Sequence, residues 1–181
     1  DIIESFIRNL SGGIGILIRS IYYKRRFKNF GKNVRIEEGV LFQGVENITI
    51  GDNSWIGAYS IITATISVKK DIDSFVLNKK DIHFDAKKGE IKIGKYVHIG
   101  NHNIIQGFGS IIIEDYCVTS SGVKLYSQSN LPNWPSDLSI KTVSNSRAKH
   151  RVVPVISRPI ILREGAWLAI NVLCFGGEIG S

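Results

Sequence analysis

The sequence predicts an all-β domain wound as a hexapeptide β-helix, and three observations support that prediction. Branched aliphatic residues recur in steps of six through Ile93, Ile99 and Ile105, and a shorter series runs through Ile50, Ile56 and Ile62. A strand alternates every two residues and a helix turns every 3.6, so a step of six fits neither unless short strands are joined by tight corners. Gly and Asn fall where those corners belong, as in Ile93-Gly94-Lys95-Tyr96-Val97-His98 and Ile50-Gly51-Asp52-Asn53-Ser54-Trp55. Finally, every departure from the step of six can be assigned to the same one of three corners.

Residues 1–30 differ from the rest. Ile2, Ile3, Phe6, Ile7 and Leu10 recur at helical spacing before the break Ser11-Gly12-Gly13. A second apolar run, Ile14 to Tyr23, leads into Lys24-Arg25-Arg26-Phe27-Lys28. Neither run is long enough to span a bilayer, and no small-residue cleavage site follows. The segment is expected to be helical. It either caps the open end of a coil, as solenoids require, or rests in a membrane interface through residues 1–28 as a basic amphipathic helix.

The coil is expected over residues 31–181. Starting each hexad at Ile36 and rotating through three sides puts Ile36, Ile56, Ile99, Thr119 and Leu168 on side A. Phe42, Ile62, Ile105, Leu125 and Cys174 fall on side B, and Ile50, Ile93, Ile113 and Leu162 on side C. All four insertions then leave the turn from B to C. Two are short near copies, Phe42-Gln43-Gly44 to Ile50 and Ile105-Gln106-Gly107 to Ile113. Two are long, about residues 66–92 and 126–161. The first, rich in Lys and Asp, reads as a solvated excursion. The second holds all four prolines with Trp134 and His150, and reads as a pocket wall. Loops raised on a rigid scaffold are where function concentrates.

Composition narrows the class. A chain of 181 residues with 43% hydrophobic content suits one domain with a sizeable core. The net charge of +7 comes from dispersed basic residues with no recognition motif, which argues against nucleic acid and fits an anionic small ligand or a membrane surface. Cys117 and Cys174 lack the spacing of a metal or redox pair and are expected as core residues in a reducing, cytoplasmic compartment, at the inner face of the membrane if residues 1–28 bind it. The absence of Met and the stop within the hexad at Gly176 to Ser181 lead to the expectation of a piece of a longer chain, with more coils or a cap to follow.

Ile50-Gly51-Asp52-Asn53, Tyr96-Val97-His98-Ile99-Gly100, Ser120 to Ser127 and Glu164-Gly165-Ala166-Trp167-Leu168 resemble the hexapeptide-repeat acyltransferases over residues 30–181. The likeness is to bacterial sugar acetyltransferases of the galactoside and maltose type and of surface-polysaccharide biosynthesis. That resemblance implies a left-handed parallel β-helix, a homotrimer, and acetyl-CoA as acyl donor in a groove between subunits; no metal is expected, because no third His is in register with His98 and His102. Likeness to the galactoside and maltose type also implies a catalytic His after the strand matching Val123 to Tyr126, where the counterpart in this sequence is Asn130 or a neighbour.

An amide has no pKa in the working range, so Asn130 orients an acceptor but takes no proton. For an O-acetyltransferase acting on a sugar hydroxyl of a surface-polysaccharide precursor, the base would be His98 or His150, with His102 less favoured and His83 read as surface. The alternatives are an N-acetyltransferase of a nucleotide-linked amino sugar, whose amine is nucleophilic once deprotonated, or a non-catalytic trimeric scaffold. Ser127, Trp134 and Trp167 are the expected substrate contacts. Lys124, Arg163 and Ala166 are the expected contacts to the acyl donor, whose phosphates Lys124, Lys149, Arg151, Arg158 and Arg163 could meet electrostatically.

Overall fold

The computed structural model describes residues 2–65, 74–78, 89–130 and 153–180. His83, Trp134, Lys149, His150 and Arg151 lie outside those residues. The chain winds as a left-handed parallel β-helix with three flat walls. Side A stacks Arg35–Ile36, Trp55–Ile56, His98–Ile99, Val118–Thr119 and Trp167–Leu168. Side B stacks Leu41–Gln43, Ile61–Thr63, Ile104–Gln106, Lys124–Tyr126 and Leu173–Cys174. Side C runs from Asn29–Phe30 through Ile48–Ile50, Ile91–Ile93, Ile111–Ile113 and Ile160–Leu162 to Gly177–Ile179.

Register follows the six-residue step. Ile36 pairs with Ile56 and Ile56 with Ile99, while Ile62 pairs with Ile105 and Ile105 with Leu125. These side chains point down the axis and are shut off from solvent. Each buried Ile contributes roughly 1.5–3 kcal/mol relative to an exposed one. Polar residues inside the coil are satisfied. Asn103, fully buried, donates to Thr119 Oγ1 at 2.8 Å and accepts from the Val123 amide at 2.5 Å.

Corners demand a left-handed residue, and the sequence supplies one at each turn. Gly39 takes φ 72° where an added Cβ would meet the Tyr59 ring at 2.2 Å. Tyr59 and His102 also have positive φ, a conformation that costs roughly 1–3 kcal/mol for a non-glycine residue. Their rings stack at 5.5 Å and 9°. Tyr96 and Tyr116, also with positive φ, stack at 5.2 Å. Ring stacking up the corner offsets part of that backbone cost.

All four insertions leave the edge between sides B and C, as the hexad count predicts. The long ones do more than extend outward. Ser74–Asn78, from the first, pairs in parallel with Val153–Ser157 of the second, and Gln128–Asn130 pairs antiparallel with the same strand. The reading of the first insertion as only a solvated excursion is therefore corrected. Its Ser-Phe-Val-Leu-Asn run supplies the outer strand of a small side sheet, using strand-favouring residues that hexad counting ignores.

Two helices close the other end of the coil. Helix α1 is Ile2–Ile7 and helix α2 is Gly12–Lys24. Arg19 of α2 is fully buried, donating to the carbonyls of Ile36 at 2.9 Å, Ile7 at 3.1 Å and Leu10 at 2.5 Å. It thereby ties both helices to the first rung. Tyr23 and Phe27 pack edge-on against Phe42 and seal the aliphatic column.

Candidate active site

Beside the ends of the side B strands, at the edge the insertions share, two adjoining hollows of about 270 and 410 Å³ form one cleft. Tyr126 ends one strand and stacks on Phe175, which follows the next rung, with centroids 5.6 Å apart. Gln106 and Phe108 come from the short insertion, Gln128 and Ser129 from the side sheet, and Ile156 and Arg158 from the return of the long insertion. The wall is held by backbone. The Arg158 amide donates to the Ser127 carbonyl at 2.8 Å and the Ser127 amide to the Gln106 carbonyl at 3.0 Å.

Chemically, the lining consists of amides, hydroxyls, aromatic rings, the aliphatic Ile156 and one guanidinium. Arg158 makes no ion pair among the described residues, and its aliphatic stem lies over Gly176, where an added Cβ would come within 2.6 Å. Such a wall can hold an anion and orient a polar acceptor. Among its described residues no imidazole or carboxylate is present to take a proton near neutrality.

The residues expected from sequence scatter over the prism. His98 and Trp167 share the outer face of side A, linked through Val118, and so lie two rungs or about 10 Å apart. His98 stands on the flat wall of side A, stacked on Trp55 at 4.9 Å. His102 is a corner residue stacked on Tyr59, which accounts for it structurally. Trp167 is 68% exposed. Asn130 ends an edge strand of the side sheet, paired with Val155 of its middle strand. Lys124 faces outward on side B and donates to the Gly122 carbonyl at 3.0 Å.

Three of the expected contacts already have partners within the chain. Ser127 is buried. Its hydroxyl donates to the Gln106 carbonyl and accepts from the Gly109 amide, both at 2.8 Å, so it staples the base of the insertion at the wall of the cleft, which the residue also lines. Arg163 pairs with Glu114 at 2.8 Å and with Glu178, a clamp over neighbouring coils whose charge is already balanced before any phosphate arrives. Hydrogen bonds to those two carboxylates push its pKa further up, and the bond from Arg163 holds Glu178 below the usual carboxylate range. Ala166 is buried, and both its backbone groups are engaged, the amide with Arg163 and the carbonyl with Val118. It has no free group for a thioester.

Sequence reasoning missed the cleft residues Gln106, Phe108, Tyr126, Gln128 and Phe175. The near-copy of the short insertions placed Gln106 beside the turn, which was the available signal. Cys117 is buried with its thiol directed at the Arg163 carbonyl, and burial pushes that thiol up, away from reactivity. Among the described residues no group of three or more His, Cys, Asp or Glu is placed to hold a metal ion.

With this geometry in view, comparisons with known proteins are informative. No family model matches the chain. A dTDP-4-amino-4,6-dideoxy-D-glucose acyltransferase from Escherichia coli is 30% identical over 152 residues, which cover 77% of this chain and 68% of that protein. Solved structures of AntD, an N-acyltransferase from Bacillus cereus, share the fold. A variant in complex with dTDP and coenzyme A superposes with a TM-score of 0.62 at 19% identity, covering 87% of this chain and 69% of that one. Another variant, in complex with dTDP-4-amino-4,6-dideoxyglucose and coenzyme A, gives 0.63 at 18%, again with 87% and 69% covered. The form with dTDP and 3-hydroxybutyryl-CoA gives 0.60 at 19%, with 87% and 68% covered.

Proposed function

Because the chain belongs to the sugar acyltransferase family, we propose that it is an N-acyltransferase that moves an acyl group from a coenzyme A thioester to the amine of a nucleotide-linked amino sugar. The observation that carries this reading is the 30% identity with an enzyme whose name gives a dTDP-linked 4-amino sugar. The cleft supports it independently, since its described lining orients and holds charge without a group to deprotonate a hydroxyl. The O-acetyltransferase reading fits less well, because it requires a base that the cleft lacks among its described residues and because its described histidines, His98 and His102, lie away from the cleft.

An amine needs no strong base once it is neutral. Its nitrogen lone pair attacks the thioester carbonyl, the carbon–sulfur bond breaks, and the coenzyme leaves as thiolate. The surplus proton on nitrogen passes to that thiolate or to water, and the product is an amide. In this chain Arg158 would meet the acceptor's phosphates, Gln106 and Gln128 would orient the sugar, and Asn130 would hold the ring near the reacting carbon. Trp167 and His98 face away on side A, so they meet the cleft only if a neighbouring subunit carries them there. A homotrimer with its sites between subunits would let a neighbour contribute Trp167, while the amine acceptor needs no base from His98. Lys124, outward on side B, would then face the donor's phosphates.

The test is direct. Purified protein with acetyl-CoA and dTDP-4-amino-4,6-dideoxyglucose should release free thiol and form an amide seen by mass spectrometry, while the matched 4-hydroxy sugar nucleotide should give neither. Acylation of the hydroxyl compound in preference to the amine would overturn the reading.

A further inference from the structure

A different part of the molecule carries an inference independent of acyl transfer. Helix α2 buries Gly15, Arg19 and Tyr23 against the coil and turns Ile14, Leu17 and Ile21 outward, exposed by 76%, 61% and 61%. These three lie on one helical stripe. Ile2, Ile3 and Phe6 of α1 add to the exposed apolar surface, at 90%, 60% and 74%. So large an apolar surface on an end cap marks a contact.

Charge identifies the kind of contact. The first 35 residues hold eight Lys and Arg against two Asp and Glu, and of the basic residues Arg19 is buried. A groove of about 660 Å³ between α2 and the first rung brings Leu17 and Ile21 together with Lys24, Lys32 and Arg35. Lys24, Arg25 and Lys32 make no ion pair among the described residues, whereas Lys28 pairs with Glu90 and Arg35 with Glu37. The carboxylates nearby are also engaged. Glu4 accepts from the Tyr23 hydroxyl, and Asp52 accepts from the Lys32 amide. An apolar stripe rimmed by uncompensated cations would repel a second copy of itself. It matches a surface that is apolar below and anionic above.

We propose that the N-terminal helices seat the enzyme on an anionic lipid surface, with Ile14, Leu17 and Ile21 entering the acyl boundary and Lys24, Arg25 and Lys32 meeting headgroup phosphates. Helix α2, about 20 Å long, would lie in the plane of the interface. No helix among the described residues is long and apolar enough to cross a membrane.

The probe is flotation of the full chain with phosphatidylcholine vesicles containing about one-third phosphatidylglycerol, at about 0.1 M salt and again at about 1 M. The protein should float with the anionic vesicles at low salt and stay behind with pure phosphatidylcholine or at high salt. Leu17→Glu with Ile21→Glu should abolish flotation. Lys24→Ala, Arg25→Ala and Lys32→Ala together should weaken it on the order of 100-fold. Acyl transfer to a soluble acceptor should be unchanged in both variants, which separates this result from the catalytic reading and reports folding. The proposal is overturned if wild type floats with neither vesicle, if it floats equally with both, or if the glutamate variant still floats. It is also overturned if wild type self-associates through this face without binding lipid, a result that would assign the face to a second copy.

Discussion

Two regions of this molecule are built on opposite rules. Along the walls and the two regular corners, each turn repeats the last. Ile99 and Ile105 are sealed in the axis, Asn103 bonds to Thr119 and Val123, and Tyr59 stacks on His102. At the edge between sides B and C the repeat breaks four times, and there a cleft opens with Arg158, which makes no ion pair among the described residues, and the amides of Gln106 and Gln128 at its wall. Regularity satisfies its own polar groups and leaves little for a ligand. The broken edge opens a cleft lined by polar side chains, which is why the proposed site is placed there.

The contrast can be tested by substitution, beginning where the effect is largest. Ile105→Ala in the axis should cost about 2–5 kcal/mol in denaturant unfolding, with transfer per folded molecule unchanged. A catalytic loss at full stability would place the axis, unexpectedly, in the reaction. Ser127→Ala sits where the two regions meet. It strands the Gly109 amide and should cost about 1–3 kcal/mol while also lowering transfer, because the wall carrying Gln128 and Arg158 loosens. Full stability and full activity together would mean that the staple is dispensable.

Arg158→Gln should change stability within about 0.5 kcal/mol but raise KM for the nucleotide acceptor about tenfold or more. An unchanged KM would remove Arg158 from the site. The Arg163 clamp predicts a smaller, pH-dependent effect. Glu178 has its pKa depressed in the folded chain, so its contribution is present above the ordinary carboxylate range and is lost as pH falls through the depressed value. Arg163→Gln should therefore move acid unfolding to higher pH while leaving KM for the acyl donor unchanged. A rise in that KM would restore Arg163 to the donor site. Smallest of all, His98→Ala should lower transfer to an amine by less than tenfold.

Much of this contrast was legible in the sequence, for a physical reason. A side chain at the axis of a three-walled coil recurs at every sixth position and is mostly aliphatic, so Ile36 to Cys174 can be counted onto walls without coordinates, and the breaks in the count name the edge. Pairing between Ser74–Asn78 and Val153–Ser157 was hidden, because these strands belong to no hexad and meet across a large separation in sequence. Ser127, Arg163 and Ala166 look like ligand contacts in one dimension. Their partners Gln106, Glu114 and Val118 come from the coil before, so only the folded chain reveals that they are already engaged. Arg19 misleads in the opposite direction, since a cation in an amphipathic helix reads as solvated until its carbonyl partners are seen.

The most direct measurement is a crystal structure with coenzyme A and dTDP-4-amino-4,6-dideoxyglucose bound. The acceptor's phosphates should lie against Arg158, with the sugar beside Gln106 and Gln128 at the edge between sides B and C. An acceptor held on the regular walls, away from every insertion, would contradict the claim that the chemistry sits where the repeat is broken.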